Sequence, residues 1–240
     1  MPNVFRSVRM VESDSPCFYV ISESPDSGAI EFLQAGLTEK NGVDFHFHLP
    51  KSSKISKLDY SDRISIWDDD KAYVDFELKS NFKNCNVFLF LSCKINLNNQ
   101  YESLVFLLEE NQTLELSRII TFIDARTFEL ENPKLVPWIN ANVHFSDAIC
   151  FFNRSNKNAH YISKLIKDFN QHRYPIETYL ISKSSIKYLP SILNSTVKRI
   201  SHSFDPVDIL EADDTPLNDP FLKKLSNGSR ERNIITPFDF

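Results

Sequence analysis

Glycine is scarce in this chain: Gly28, Gly36, Gly42 and Gly228 are the four among 240 residues, where an average usage of about 7% would give roughly 17. Loops that cradle phosphate need glycine, because backbone N–H groups must approach the anion with no Cβ in the way. The scarcity argues against an intact dinucleotide or Walker-type loop. Cysteine is almost as sparse. Cys17, Cys85, Cys93 and Cys150 stand far apart, without the paired spacing of zinc and redox sites. Three of them lie in or beside apolar runs, where a reduced thiol acts as a small hydrophobe. The most apolar run, Val87 to Leu91, is too short to span a bilayer. Met1 to Met10 carries Arg6 and Arg9 among polar residues and lacks the apolar stretch of a signal peptide. A net charge of -5 gives no long-range pull on nucleic acid or an acidic membrane. Together these absences predict a soluble, cytoplasmic protein with no structural zinc, no nucleic-acid partner and no membrane partner.

What is present is an ordinary globular composition, 42% hydrophobic and 25% charged, long enough to bury a real core. Short β-rich apolar runs alternate with helical spacing. Strands are predicted over Phe18–Ile21, Val43–Leu49, Ile64–Trp67, Val87–Ser92, Arg118–Ile123 (ending at Asp124), Ala148–Phe152 and Ile176–Ile181. Helices are predicted over Ala29–Leu37, Ala72–Phe82, Gln100–Glu109, Pro133–His144 and Ala159–Asn170. Such alternation predicts an α/β fold, a mostly parallel doubly wound sheet of about six strands flanked by helices, with Val87–Ser92 and Arg118–Ile123 central. After about Asn194 the periodicity fades, and Asp205, Asp208, Glu211, Asp213, Asp214 and Asp219 mix with Pro206, Pro216 and Pro220. The expected organisation is an N-terminal extension over 1–16, a domain over 17–198, and an acidic, partly disordered tail over 199–240 whose last aromatic piece, Ile234 to Phe240, can dock back.

In doubly wound sheets ligands sit beyond the carboxyl ends of the strands. The loop after the first strand reads Glu23-Ser24-Pro25-Asp26-Ser27-Gly28-Ala29-Ile30. Set beside the phosphate-loop pattern G-x-x-x-x-G-K-[ST], it has the right length and place but keeps only Gly28. Ala29 stands where the phosphate-binding lysine belongs, Ile30 where the Mg²⁺ hydroxyl belongs, and Glu23 where the first glycine belongs. Glu23 and Asp26 would repel an incoming phosphate.

Later strand ends fit the same scheme, and from Phe18 to Tyr188 the chain resembles P-loop GTPase domains of the CobW type (CobW, HypB and UreG). CobW proteins are GTPases linked to metal delivery and cobalamin synthesis. The family's Glu-Thr-Ser-Gly-Leu segment, with its acid near Mg²⁺, resembles Leu91-Ser92-Cys93-Lys94-Ile95, with leucine in the acid's place. Its Val-Val-Asp-Ala strand end resembles Phe122-Ile123-Asp124-Ala125. The guanine-reading Asn-Lys-x-Asp resembles Asn153-Arg154-Ser155-Asn156. The family's Cys-x-Cys-Cys metal motif would fall near Ile64 to Asp70, where no cysteine stands. The resemblance implies a P-loop NTPase-like fold with degenerate nucleotide contacts at Ser27, Gly28, Ala29, Ile30, Asp124, Asn153, Arg154 and Asn156.

Each remaining candidate has a plain reading beside the chemical one. Asn156 would offer guanine one acceptor where aspartate offers two, and the same Asn153–Asn156 stretch reads equally as a polar loop leading into a helix. His46 and His48 share one face of a strand and could grip a metal with Asp44 as third ligand, but such pairs are more often just polar strand residues. Asp68-Asp69-Asp70 could suggest Mg²⁺, but acid triplets in loops are more often solvated turns or helix starts. Lys183, Lys187 and Lys198 with Tyr188 make too thin a cluster for nucleic acid. The expected function is a catalytically inactive pseudo-GTPase, without a cofactor, that serves as an interaction or regulatory module for another protein. The alternative is a weak nucleotide binder or a metal-delivery relative with a non-standard site.

Overall fold

Glu23 and Asp124 end neighbouring strands of one parallel sheet, and the loops beyond them lie side by side. The structure is a computed structural model that describes residues 17–38, 44–53, 61–71, 73–74, 85–111, 114–205 and 216–238. Its strands are β1 (Cys17–Glu23), β2 (Asp44–Pro50), β3 (Ile64–Trp67), β4 (Cys85–Phe90), β5 (Glu115–Asp124), β6 (Ala148–Phe152) and β7 (Glu177–Leu180). Among the described residues they form one seven-stranded sheet in the order β3-β2-β4-β1-β5-β6-β7. Every pairing is parallel. The helices are α1 (Ala29–Thr38), α2 (Leu97–Glu110), α3 (Leu135–Phe145), α4 (Ala159–Gln171) and a single turn, α5 (Leu189–Ile192). This is the doubly wound α/β arrangement that the alternation predicts, its seven strands matching those read along the sequence, with β1 in the middle between β4 and β5. It is consistent with a P-loop NTPase-like fold.

Burial explains the layers. Val87, Phe88, Leu89 and Phe90 of β4 are all fully buried, so alternate side chains feed opposite faces of the sheet. Val87 and Leu89 join α2, α3 and α4 on one face. Phe88 and Phe90 join α1 and α5 on the other. Each fully covered large apolar side chain contributes roughly 1.5–3 kcal/mol. A Cβ added at Gly36 would collide with Leu189, so glycine is what lets α1 close on α5.

Local chemistry moves some element boundaries. The α2 helix starts at Leu97 rather than Gln100, because the Asn96 side chain caps it by accepting the Asn98 N–H at 2.8 Å. Pro137 stands in the first turn of α3, where its missing N–H has no intrahelical role. The helix predicted over Ala72–Phe82 falls on residues outside the described ones, apart from Tyr73 and Val74, which are not helical. The extension over 1–16 also lies outside them, as do residues 206–215.

Two buried arginines tie the sheet to α5 and to the chain beyond it. Arg118 of β5 is 0% exposed. Its guanidinium donates to the Ser191 and Ile192 carbonyls at the end of α5, at 2.9 Å each, and pairs with Glu177 of β7 at 2.5 Å. Burial pushes the Glu177 carboxyl up, but hydrogen bonds from Lys198, Arg118 and Tyr179 outweigh it and hold the pKa down at about 2. Arg199 pairs with the fully buried Asp147 and with Asp205. Asp147 also accepts the N–H groups of Ile119 and Lys198.

The chain beyond Lys198 is anchored on the body at several described points, although residues 223–229 and 231–233 face solvent. Leu222 and Ile234 are each 1% exposed within the core on the α2–α4 face. Asn98, fully buried in α2, donates to the Phe221 and Arg232 carbonyls and accepts the Ile234 N–H. Asp219 accepts from His144 of α3 and from Ser201. The acids that give this stretch a disordered composition are thus partly used as anchors, and residues 199–205 and 216–238 belong to the packed body rather than to a loose tail. The aromatic end docks as the composition allows: Phe238 meets Trp138 edge to face at 5.3 Å.

Candidate functional site

The ends of β1, β4, β5 and β6 bring together the loops that the sequence singles out. The first of them is held by bonds within the loop itself. Asp26 and Gly28 adopt left-handed backbone, φ 55° and 82°. The Ser27 N–H donates to the Ser24 carbonyl at 3.2 Å, and the Ala29 N–H donates to Ser27 Oγ at 3.1 Å. Ser27 Oγ in turn donates to the Glu23 carboxylate. Two backbone donors that an anion would use are therefore occupied from within. A Cβ placed on Gly28 would find the Phe152 ring at 3.9 Å, and that ring packs edge to face on Phe32 of α1. Gly28 is therefore required for its positive φ, while the space over it is partly filled by an aromatic ring from β6. Ala29 and Ile30 are buried members of the core at the start of α1, not ligand-facing groups.

The electrostatics point the same way. Burial pushes the Glu23 carboxyl up to about 7, with Glu31 and Asp26 adding to the rise and the Ser27 hydrogen bond opposing it. Beside it the Cys93 thiol donates to the Glu23 carbonyl at 3.0 Å. Burial, then the charges of Glu23, Asp69 and Asp26, push this thiol well above its ordinary range. The local field at this loop is thus negative. It also predicts a pH dependence. Because the folded pKa of Glu23 lies above its unfolded value, its carboxyl is least costly below about pH 4.5 and destabilises as pH rises through about 7. Glu23→Gln is expected to match the parent protein at pH 5 and to exceed it by about 1–2 kcal/mol at pH 8. Urea denaturation at the two pH values checks this, and equal stability at both would remove Glu23 from the account.

Leu91, in the place of the Mg²⁺-linked acid, is buried, with its N–H on the Ile21 carbonyl. The loop after it is clamped by Gln100, whose amide bonds the Ser92 N–H and the Ser92 and Ile95 carbonyls. An acid does reach this place from elsewhere. Asp69 is buried and accepts from Ser92 Oγ at 2.7 Å and from the Ser52 N–H at 3.1 Å. This corrects the reading of Asp68-Asp69-Asp70 as a solvated turn, because only Asp70, paired with Lys51, and Asp68 face solvent. Sequence alone does not single out Asp69, because its partners, Ser52 and Ser92, are distant along the chain.

Asp124 ends β5, and its carboxylate caps the following turn and pairs with Arg126. Its N–H bonds Ser24 Oγ at 2.7 Å, joining the two loops. In the next loop Asn153 sits at φ 53°. Asn153, Arg154 and Asn156 are exposed. The residue that orders this loop is Asn158, fully buried, which bonds the Ser155 N–H, the Asn153 carbonyl and the Glu129 carboxylate. The loop-building reading of this stretch therefore has a named organiser two residues past the quoted motif.

His46 and His48 do share a face of β2, with ring centroids 5.0 Å apart. His46 bonds Ser65 Oγ at 2.8 Å, and Asp44, the candidate third ligand, pairs with Arg63 at 3.3 Å. Among the described residues no group of three or more His, Cys, Asp or Glu side chains is placed to hold a metal ion. The lysine cluster is divided: Lys187 lies over Tyr188, and Lys198 pairs with Glu177. A narrow recess, too small to admit a water molecule, remains at the ends of β1 and β4, between Glu23, Leu91, Cys93, Trp138 and Thr236. The C-terminal segment thus borders these strand ends. No helix among the described residues is long and apolar enough to cross a membrane. Compared with known protein families and with curated proteins, the sequence matches none.

Proposed function

We propose that the chain is a catalytically inactive GTPase-like domain of CobW-like type, acting in the cytoplasm as an interaction or regulatory module for another protein. The observation that carries this reading is the first loop. A carboxylate, a hydroxyl and two occupied amides stand where a lysine and free N–H groups would have to receive phosphate. Phosphoryl transfer relies on cations to offset charge developing on the transferred group. Glu23, Asp26 and Asp69 would add to that charge. The elaborate bonding of Gln100, Asn158 and Ser24 supports loops kept as a fixed surface.

The test is thermal unfolding of the full chain with GTP, ATP or Zn²⁺, because a ligand that binds only the native state must stabilise it. The expected result is no rise in Tm with either nucleotide and Mg²⁺, and no phosphate release above a buffer control. Turnover that disappears in Asn153→Ala would overturn the proposal in favour of a weak nucleotide-binding protein. A Zn²⁺ shift lost in His46→Ala would favour a metal-delivery relative.

A further inference from the structure

A second cavity, sharing no residue with the loop at Gly28, lies between α3 and α4 and is closed on one side by the chain beyond α5. It encloses about 470 Å³, inside the range of about 300–1,000 Å³ usual for small-molecule sites. Its apolar lining comes from Val143, Leu165, Phe169 and Ile200. Two aromatic rings complete the wall: Phe221, and Tyr174 stacked on His172 at 5.4 Å.

Two opposite charges line this same cavity without meeting. Arg232 lies over the Phe221 ring at 5.7 Å, and its guanidinium makes no ion pair among the described residues. Asp168, one turn from the end of α4, lends its backbone carbonyl to His172, while its carboxylate makes no hydrogen bond or ion pair among the described residues. Of the other titratable groups here, His144 is engaged by Asp219 at 2.7 Å, and His172 bonds the Asp168 carbonyl and stacks on Tyr174.

We propose that this cavity binds a small zwitterion with an apolar side chain, a ligand of the amino-acid class. The planar guanidinium of Arg232, held on a ring, suits a carboxylate. Asp168 takes the ammonium, which the C-terminal end of α4 and the neighbouring rings also favour. The apolar side chain lies against Phe169, Phe221 and Tyr174. A plain carboxylate would leave Asp168 without a partner beside a desolvating ligand, and a plain amine would leave Arg232 so. Ile200, Phe221 and Arg232 come from the chain beyond α5, so the site exists only while that chain is docked.

Calorimetry and thermal unfolding of the full chain, with L-phenylalanine and L-leucine as probes, test this. Phenylalaninamide lacks the carboxylate and 3-phenylpropionate lacks the ammonium. At least one of the two amino acids is expected to bind and raise Tm, with both analogues of phenylalanine weaker by about tenfold or more. Arg232→Gln and Asp168→Asn should each weaken binding to a similar extent while leaving the unliganded Tm within about 1 °C, as expected of changes at exposed and half-buried positions outside the core. The proposal is overturned if neither amino acid binds, if the analogues bind as well as the zwitterion, or if neither variant alters affinity.

Discussion

Arg118→Ala is expected to destabilise the protein by about 3–5 kcal/mol, the range for breaking a buried ionic group by removing one partner. Alanine would leave the Ser191 and Ile192 carbonyls without their donor and Glu177 without its buried counter-ion, and would open a cavity in the α1–α5 face as well. Arg118→Met, which keeps most of the volume, should cost clearly less. The pair separates the ionic contribution from the packing one. Chemical denaturation of both variants gives the comparison. An alanine cost below about 1 kcal/mol would mean that the guanidinium is not holding α5 to the sheet. Acid should act through the same group. The Glu177 carboxyl is held below its unfolded value, so its contribution is present above about pH 4.5 and is lost as pH falls toward about 2.

Asn98→Ala should have the next largest effect, about 2–4 kcal/mol, because one fully buried side chain carries three backbone groups of the C-terminal segment, and the bond from the Ile234 N–H is itself buried. The loss should be local before it is global. Lys223, Lys224, Arg230 and Arg232 all lie in the segment that Asn98 holds. Trypsin should therefore cut at these sites in the variant well before it attacks the sheet, while the parent protein resists at both. Equal cleavage rates in parent and variant would show that the segment is held by its apolar contacts alone.

Both predictions rest on residues that are legible in the sequence only as members of elements. Arg118 reads as the start of a strand and Asn98 as a polar residue just ahead of a helix; their partners stand about 60 to 136 positions away. The sheet is legible because its signal is local. Val87 to Leu91 is a continuous apolar run, and each later strand but the last is followed by a helical spacing. The strand-end loops are legible in position, and Ala29, Ile30 and Leu91 are legible there as apolar residues. The polar and aromatic groups that order these loops are not. Asp69 reaches Ser92 only after β3 and β4 are brought to one end of the sheet. Phe152 meets Gly28 only because β6 ends beside the first loop. The segment beyond Lys198 reads as a tail by composition, which counts acids and prolines but cannot see that Asp205 and Asp219 have buried partners. Asn98 and Gln100, two amides on the inward side of α2, are the signal that the sequence offers for it.

The position of Leu222 and Ile234 in the α2–α4 core has a consequence for the protein while it is being made. A chain is synthesised from its N-terminus, so the sheet and its helices exist before the residues that finish covering Tyr101, Trp138 and Phe145. A parallel sheet already folds slowly, because every strand pairing spans a long crossover. During that interval an aromatic surface faces water with nothing yet available to cover it, a condition that invites aggregation. Nascent chains halted before residue 222 should consequently be retained by holdase chaperones, and release should coincide with synthesis of the segment that reaches Ile234.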